Sequence, residues 1–246
     1  MTQEISLRRD SRRLDFRTSV DWHERHKLLK VAFPVNIHAH EAVHEIQFGY
    51  IARPNHRSRP FDADRYEVAN QKWTALMQPD RGCAVLNDSK YGVNVLGDTI
   101  KLTLLKSPLA PDMHADQGVQ EFTYALYVWN GSFAESDVVR EGYDLNAPLM
   151  TVPGDAGTRS LFAVGATNVV IDTVKPAEDG SNDIVIRLYE AKRMTTACTL
   201  TTSLPVAAAA ATDMLERETV EDLVCEDGAV ALTFRPFEVK TLRLSF

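Results

Sequence analysis

The stretch Phe122-Thr123-Tyr124-Ala125-Leu126-Tyr127-Val128 places Phe122, Tyr124, Leu126 and Val128 on alternate positions, with different side chains between them. A period of two is what an extended strand needs to bury one face, because successive side chains point to opposite sides of a sheet. The signal recurs upstream in Val31, Phe33, Val35 and Ile37, in Ile46, Phe48 and Tyr50, and in Ile100, Leu102 and Leu104. Downstream it returns in Ile184, Ile186 and Leu188, in Val230, Leu232 and Phe234, and in Leu242, Leu244 and Phe246. Pro236, between the last two groups, lacks a ladder donor and suits a bend or a sheet edge.

The joins between these runs are rich in residues that favour turns or tolerate positive φ: Asp80-Arg81-Gly82, Asn87-Asp88, Leu96-Gly97-Asp98, Asp179-Gly180-Ser181-Asn182 and Glu226-Asp227-Gly228. Strands joined this way, without long helices between them, predict an all-β fold: a large antiparallel β-sandwich with at most short accessory helices. Two segments read differently. Ala207 to Ala211 is a run of strong helix formers, predicting either a short helix extended by Asp213 to Glu218 or an irregular crossover. Asp62 to Trp73 opens after Pro60 with acidic residues and closes on Lys72, the polarity of a helical turn. A single region spans 1–246, and Pro153-Gly154-Asp155-Ala156-Gly157 is the best candidate for an internal seam.

Composition narrows the function. The 246 residues are 44% hydrophobic, enough for a real core. Lys and Arg number 27 against 34 Asp and Glu, a net charge of −7 that disfavours a nucleic-acid partner. No run reaches the roughly 18 to 20 apolar residues of a membrane span, and Met1 to Arg13 is polar where a secretory signal would be apolar. Cys83, Cys198 and Cys225 cannot all pair within one chain and lack metal-binding spacing, so reduced thiols in the cytoplasm are expected.

Three groups could carry chemistry. His38 and His40 share a strand face near Glu41 and His44, but the spacing matches neither a helical zinc motif nor a finger, so no metal is expected in this chain. The loop Arg53-Pro54-Asn55-His56-Arg57-Ser58-Arg59-Pro60 could clamp an anion or sugar hydroxyls through its guanidiniums. Asp62, Asp64 and Glu67 just downstream supply counter-charges, which favours a fastened loop. Asp112, Asp116 and Glu121 surround Gly118; paired carboxylates of glycosidases stand about 5 to 9.5 Å apart, but loop carboxylates are also ordinary surface residues. No nucleophile elbow, dinucleotide fingerprint or phosphate-binding loop is present, so the residues alone define no complete active site. Trp73 is expected in the core.

Ordered blocks across the chain resemble the C-terminal β-rich region of glycoside hydrolase family 38 α-mannosidases of the cytosolic, vacuolar and bacterial type. They include Arg13-Leu14-Asp15-Phe16-Arg17-Thr18, Ala84-Val85-Leu86-Asn87-Asp88-Ser89-Lys90-Tyr91-Gly92, Ala115-Asp116-Gln117-Gly118, Leu188-Tyr189-Glu190-Ala191 and Phe234-Arg235-Pro236-Phe237-Glu238-Val239-Lys240-Thr241-Leu242. The resemblance implies a β-sandwich of the galactose mutarotase-like, or supersandwich, type. It implies retaining hydrolysis of terminal α-D-mannosides by a longer enzyme, whose aspartate nucleophile and divalent metal, zinc or cobalt, belong to an N-terminal barrel followed by a helical bundle. Those domains of the same chain and a mannoside substrate are then the expected partners; a homo-oligomer is left open. On this reading the chain is a distal piece of that enzyme, without catalytic residues, metal or cofactor of its own, and whether Met1-Thr2-Gln3 is a native start or the point of excision is left open.

The same resemblance implies sugar-pocket walls at Asn87 to Gly92 and Asp112 to Gly118, with Asn87, Asp88, Lys90, Tyr91, Asp112 and Asp116 as substrate-pocket candidates. Arg53, His56 and Arg57 are loop or interface candidates. Gln71, Gln120 and Trp129-Asn130 depart from the family pattern, which has histidines there, and bear on local contacts and linkage preference. The competing class is a free-standing carbohydrate-binding or structural β-sandwich, which would expose a row of aromatics such as Trp22, Trp73 and Trp129.

Overall fold

The computed structural model describes residues 1–155 and 157–246, and divides into two units, Met1–Met150 and Thr151–Phe246. The 153–157 run begins just beyond that division; Ala156 within it lies outside the described residues.

The first unit contains β1 (Thr2–Leu7), β2 (Arg13–Trp22), β3 (Lys27–Pro34), β4 (Glu41–Ile46), β5 (Gly49–Pro54), β6 (Val68–Ala69), β7 (Trp73–Gln78), β8 (Arg81–Asn87), β9 (Gly92–Leu96), β10 (Thr99–Ser107), β11 (Gly118–Asn130) and the helix α1 (Val138–Asn146). They form a seven-stranded sheet, β1-β2-β11-β8-β7-β4-β5, and a four-stranded sheet, β3-β10-β9-β6. Each registered pair in both sheets is antiparallel. The alternation read in the sequence explains the core between them: Leu76, Val85, Phe122 and Tyr124 from the first sheet meet Val93, Ile100 and Leu102 from the second. Tyr124 stacks on Phe16 at 5.0 Å and meets Phe33 edge-on at 6.1 Å, joining β11, β2 and β3. The opposite face of the large sheet is covered by α1, which packs on β7 and β8 through buried Val138, Val139 and Gly142. Arg13 fastens it by donating to the Glu141 carboxylate at 2.9 Å and the Glu141 carbonyl at 3.0 Å.

The second unit contains β12 (Phe162–Val164), β13 (Val169–Pro176), β14 (Ile184–Glu190), β15 (Thr196–Thr202), β16 (Ala208–Thr212), β17 (Thr219–Leu223), β18 (Cys225–Glu226), β19 (Ala229–Phe234) and β20 (Val239–Ser245). Its sheets are β12-β15-β19-β18 and β13-β14-β20-β16-β17. Ile186, Leu188, Leu242 and Leu244 from one sheet bury against Leu200, Val230, Leu232 and Phe234 from the other. Each unit is thus a two-layered antiparallel sandwich with its own core.

Several expectations are corrected. Ala207 to Ala211 forms neither helix nor irregular crossover: Ala208–Thr212 is a strand, hydrogen-bonded between β17 and β20. Ladder partners on both edges outweigh an intrinsic helix preference of about a few tenths of a kcal/mol per residue. Ile46, Phe48 and Tyr50 do not share a strand face, because Gln47 and Phe48 are the turn of the β4–β5 hairpin and Phe48 has φ 55°. Val35 and Ile37 lie beyond the end of β3 at Pro34, and Phe246 follows β20 rather than extending it. Val128 is exposed while Tyr127 and Trp129, one step out of phase, are buried. Of the helical turn expected from Asp62 to Trp73, only a 3-10 turn at Pro60–Ala63 forms before β6 and β7.

Candidate functional site

Asn87 closes β8 and is fully buried, with every part of its amide occupied. Its Nδ2 donates to Asn70 Oδ1 at 3.0 Å and to the Gln71 carbonyl at 2.8 Å, while its Oδ1 accepts from the Lys90 backbone N–H at 2.7 Å. Asn70 in turn donates through Nδ2 to the Tyr91 carbonyl at 3.0 Å. The turn after β8 is therefore held by side chains that replace the sheet ladder. Asn87 is a correction among the substrate-pocket candidates, because a side chain without exposed surface and without a spare donor shapes the turn and cannot touch a ligand.

The residues it positions do reach the surface. Asp88 keeps the turn against β11, accepting from the Thr123 N–H at 2.8 Å, and borders a polar hollow of about 350 Å³ with Arg17, Glu121 and Thr123. Lys90 lies over the Phe122 ring at 4.4 Å. Burial lowers its pKa from the usual lysine value, opposed by the Asp116 and Asp88 carboxylates. Asp116, at φ 57°, accepts from the Lys106 N–H at 2.6 Å, and exposed Asp112 accepts from the His114 N–H at 2.8 Å. Asp88, Lys90 and Asp116 thus come together, whereas the Asp112 contact is confined to its own loop.

Tyr91 is the open side of the turn, 57% exposed beside a second cleft of about 450 Å³. Ala69, Asn70, Gln71, Lys72 and Asn146 complete its lining. Asn146 reaches it from the end of α1 and donates to the Asn87 carbonyl at 2.9 Å. Lys72 pairs with Glu45 at 3.0 Å and lies over the Tyr143 ring at 4.4 Å. Burial raises the Glu45 pKa, although Lys72 opposes the shift. Asn70, Glu45 and Asn146 were not legible as parts of one site, since no local pattern links residues 45, 70, 87 and 146; Gln71 was singled out only as a departure from the family pattern.

Arg53, His56 and Arg57 form no shared site with this turn. Arg53 donates to the Ala69 carbonyl at 3.1 Å, His56 faces the Asp62 carboxylate at 4.0 Å, and Arg57 is exposed. Asp62 also gathers Arg59 and Arg65, so the basic loop is fastened by its downstream acids. Among the described residues no three His, Cys, Asp or Glu side chains gather as a metal site, and His38 and His40 merely meet edge to face at 5.1 Å. Trp73 and Trp129 are buried at 1% and 3% exposure, so the aromatic row of a free-standing sugar-binding face is not formed by them.

The paired sandwiches and their side-chain-braced turn define an all-β sandwich module. Residues 1–114 match the glycosyl hydrolases family 38 C-terminal domain, and residues 168–242 match the glycosyl hydrolases family 38 C-terminal beta sandwich domain. Alpha-mannosidase 2C1 of Mus musculus is 43% identical over 99% of this chain, and alpha-mannosidase of Saccharomyces cerevisiae is 32% identical over 95%. The chain spans 24% of the length of each of these relatives. The crystal structure of an alpha-mannosidase from Enterococcus faecalis V583 superposes with a TM-score of 0.81 at 20% identity, covering 98% of this chain and 28% of that one. The chain belongs to glycosyl hydrolase family 38, as its C-terminal region.

Proposed function

We propose that this chain is the C-terminal module of a cytoplasmic α-mannosidase that hydrolyses terminal α-D-mannosides with retention. The module supports the catalytic and helical-bundle domains of the same polypeptide and contributes the Asp88–Tyr91 turn to the wall of the sugar pocket. The observation that carries the reading is the 43% identity to an α-mannosidase across 99% of the chain. The turn suits the role: Asn87 holds its backbone, while Asp88 and Tyr91 offer an acceptor and an aromatic face to hydroxylated ligands. The nucleophile and the divalent metal, zinc or cobalt, belong to the other domains, and no step of the chemistry runs through a group of this chain. No helix among the described residues is long and apolar enough to cross a membrane.

The test compares purified chain with the polypeptide carrying its upstream domains on an aryl α-mannoside. The module alone is expected to be inactive with or without added zinc or cobalt, and the longer protein active. Turnover by rigorously purified module, or inactivity of the longer protein with metal supplied, overturns the proposal.

A further inference from the structure

We propose that the sandwich of the first unit is completed by an extended apolar segment of the preceding polypeptide, which lies beside β3 and covers Ile5 and Leu7 of β1. The inference rests on the reading that this chain is the C-terminal part of a longer enzyme, and it adds a surface by which the remainder holds the module.

In the β1–β2 pair, Gln3 stands opposite Thr18, Ile5 opposite Phe16 and Leu7 opposite Leu14. Residues directly opposite each other across a ladder share one face of the sheet. Phe16 stacks on Tyr124 and meets Phe33 of β3 at 5.7 Å, so this face is the inner one, turned toward the second sheet. Gln3 is engaged there, donating through Nε2 to Thr18 Oγ1 at 3.0 Å and to the Tyr124 hydroxyl at 2.7 Å. Ile5 and Leu7 lie on the same face yet are 58% and 64% exposed.

The exposure comes from unequal layers. β1 is the outer strand of seven in one sheet, and β3 is the outer strand of four in the other. β3 faces β2 through the Phe16–Phe33 contact, so β1 stands one strand further out, with no strand of the second sheet opposite it among the described residues. The flank of the core is open as well, since Leu29, Val31 and Phe33 of β3 are only partly buried. One more strand beside β3 would lie over Ile5 and Leu7, because stacked sheets sit about 10 Å apart and only that layer reaches them.

Chain length and position select the occupant. The chain spans 24% of the length of its mouse and yeast relatives and matches C-terminal family models, so most of such a protein precedes β1. Residues entering at Thr2 emerge from β1 itself, and a short tether holds them at an effective concentration in roughly the millimolar range, so one short strand suffices. Two side chains and one strand edge fall short of the roughly 800 Å² per partner of a stable dimer, which disfavours a second copy.

The test labels single introduced cysteines with a maleimide, in this chain and in the polypeptide carrying its upstream domains, and reads each site by peptide mass spectrometry. Ile5→Cys and Leu7→Cys are expected to react in the chain alone and about 10-fold or more slower in the longer polypeptide. Ser6→Cys, on the opposite face of β1, is expected to change by less than about 3-fold. Amide hydrogen exchange of Lys27–Pro34 is expected to slow in the longer polypeptide, as an added strand pairs with β3. Equal labelling of residues 5 and 7 in both polypeptides, equal protection of residue 6, or unchanged exchange of β3 overturns the inference. Protection in the chain alone that grows with its concentration also overturns it, in favour of a second copy. The longer polypeptide is assayed in parallel on an aryl α-mannoside: activity without protection removes this inference alone, whereas inactivity with metal supplied removes the reading beneath it.

Discussion

Asn87 and Asn70, separated by 17 positions, are joined by a buried amide–amide hydrogen bond of 3.0 Å. The bond is directional: Asn87 donates to Asn70 Oδ1, and the bond from Asn70 Nδ2 to the Tyr91 carbonyl fixes the Asn70 amide with its oxygen toward Asn87. Asn87→Asp replaces the donor with an acceptor facing both Asn70 Oδ1 and the Gln71 carbonyl, and leaves those acceptors unpaired. It is expected to destabilise the fold by about 2–4 kcal/mol, more than an exposed Asn-to-Asp change within about 0.5 kcal/mol. Urea unfolding of Asn87→Asp and of exposed Asn182→Asp checks this; equal midpoints would show that the hub carries no strain-bearing polarity.

The parts of the fold that rest on local alternation were legible before any coordinates. Ile100 and Leu102 in β10, Ile186 and Leu188 in β14, and Val230 and Leu232 in β19 all point into cores as their period of two requires. β16 was not legible, because five alanines carry a helix preference and the two strands that overrule it begin at residues 219 and 239. α1 was missed for the converse reason. Its sequence, Val-Val-Arg-Glu-Gly-Tyr-Asp-Leu-Asn, has two β-branched residues and a glycine, and it owes its helix to a surface it covers: a Cβ on Gly142 would lie 3.1 Å from Trp73. The candidate turn was visible as a motif, but which of its residues face inward was not, since the Asn87 side chain is turned into the protein by partners at 70, 71 and 90.

The Glu45–Lys72 pair predicts a pH-dependent mutational cost. Lys72→Met leaves Glu45, 3% exposed, without its counter-ion, and breaking such a pair is expected to cost about 2–4 kcal/mol at neutral pH. The folded pKa of Glu45 is already raised by burial and rises further without Lys72, so the loss shrinks as acid neutralises the carboxyl. Urea unfolding of both proteins at neutral and mildly acidic pH measures this, and a penalty that stays constant would contradict it.

Gly82 predicts a packing failure. A Cβ at this position would stand 1.9 Å from Cζ2 of the buried Trp129 ring, directly across the β8–β11 pair. Gly82→Ala is expected to cost about 1–3 kcal/mol by overpacking and to shift tryptophan emission. Adding Trp129→Leu should recover part of that loss, because the smaller side chain vacates the contested space. A double variant no more stable than Gly82→Ala would place the cost in the backbone instead.

His44 predicts the acid side of the stability profile. Burial, reinforced by the Arg53 charge, pushes its pKa down from 6.5 to about 3, and its ring nitrogen Nδ1 is paired with Thr74 Oγ1 at 3.0 Å. Between these two values the unfolded chain holds a proton on His44 that the folded chain does not, so stability contributed above 6.5 is lost as the pH falls toward 3. The neighbouring Glu45 works in the opposite sense, because its raised pKa makes the folded chain take up a proton first. Comparison with His44→Gln separates the two, since Gln keeps a polar partner for Thr74 and does not titrate. The stability difference between wild type and this variant should move against wild type by up to about 1.4 kcal/mol per pH unit from 6.5 downward, measured by urea unfolding at intervals of pH. A difference independent of pH would mean that the folded protein protonates His44 as readily as the unfolded chain does, which a 2% exposed imidazole beside a guanidinium should not.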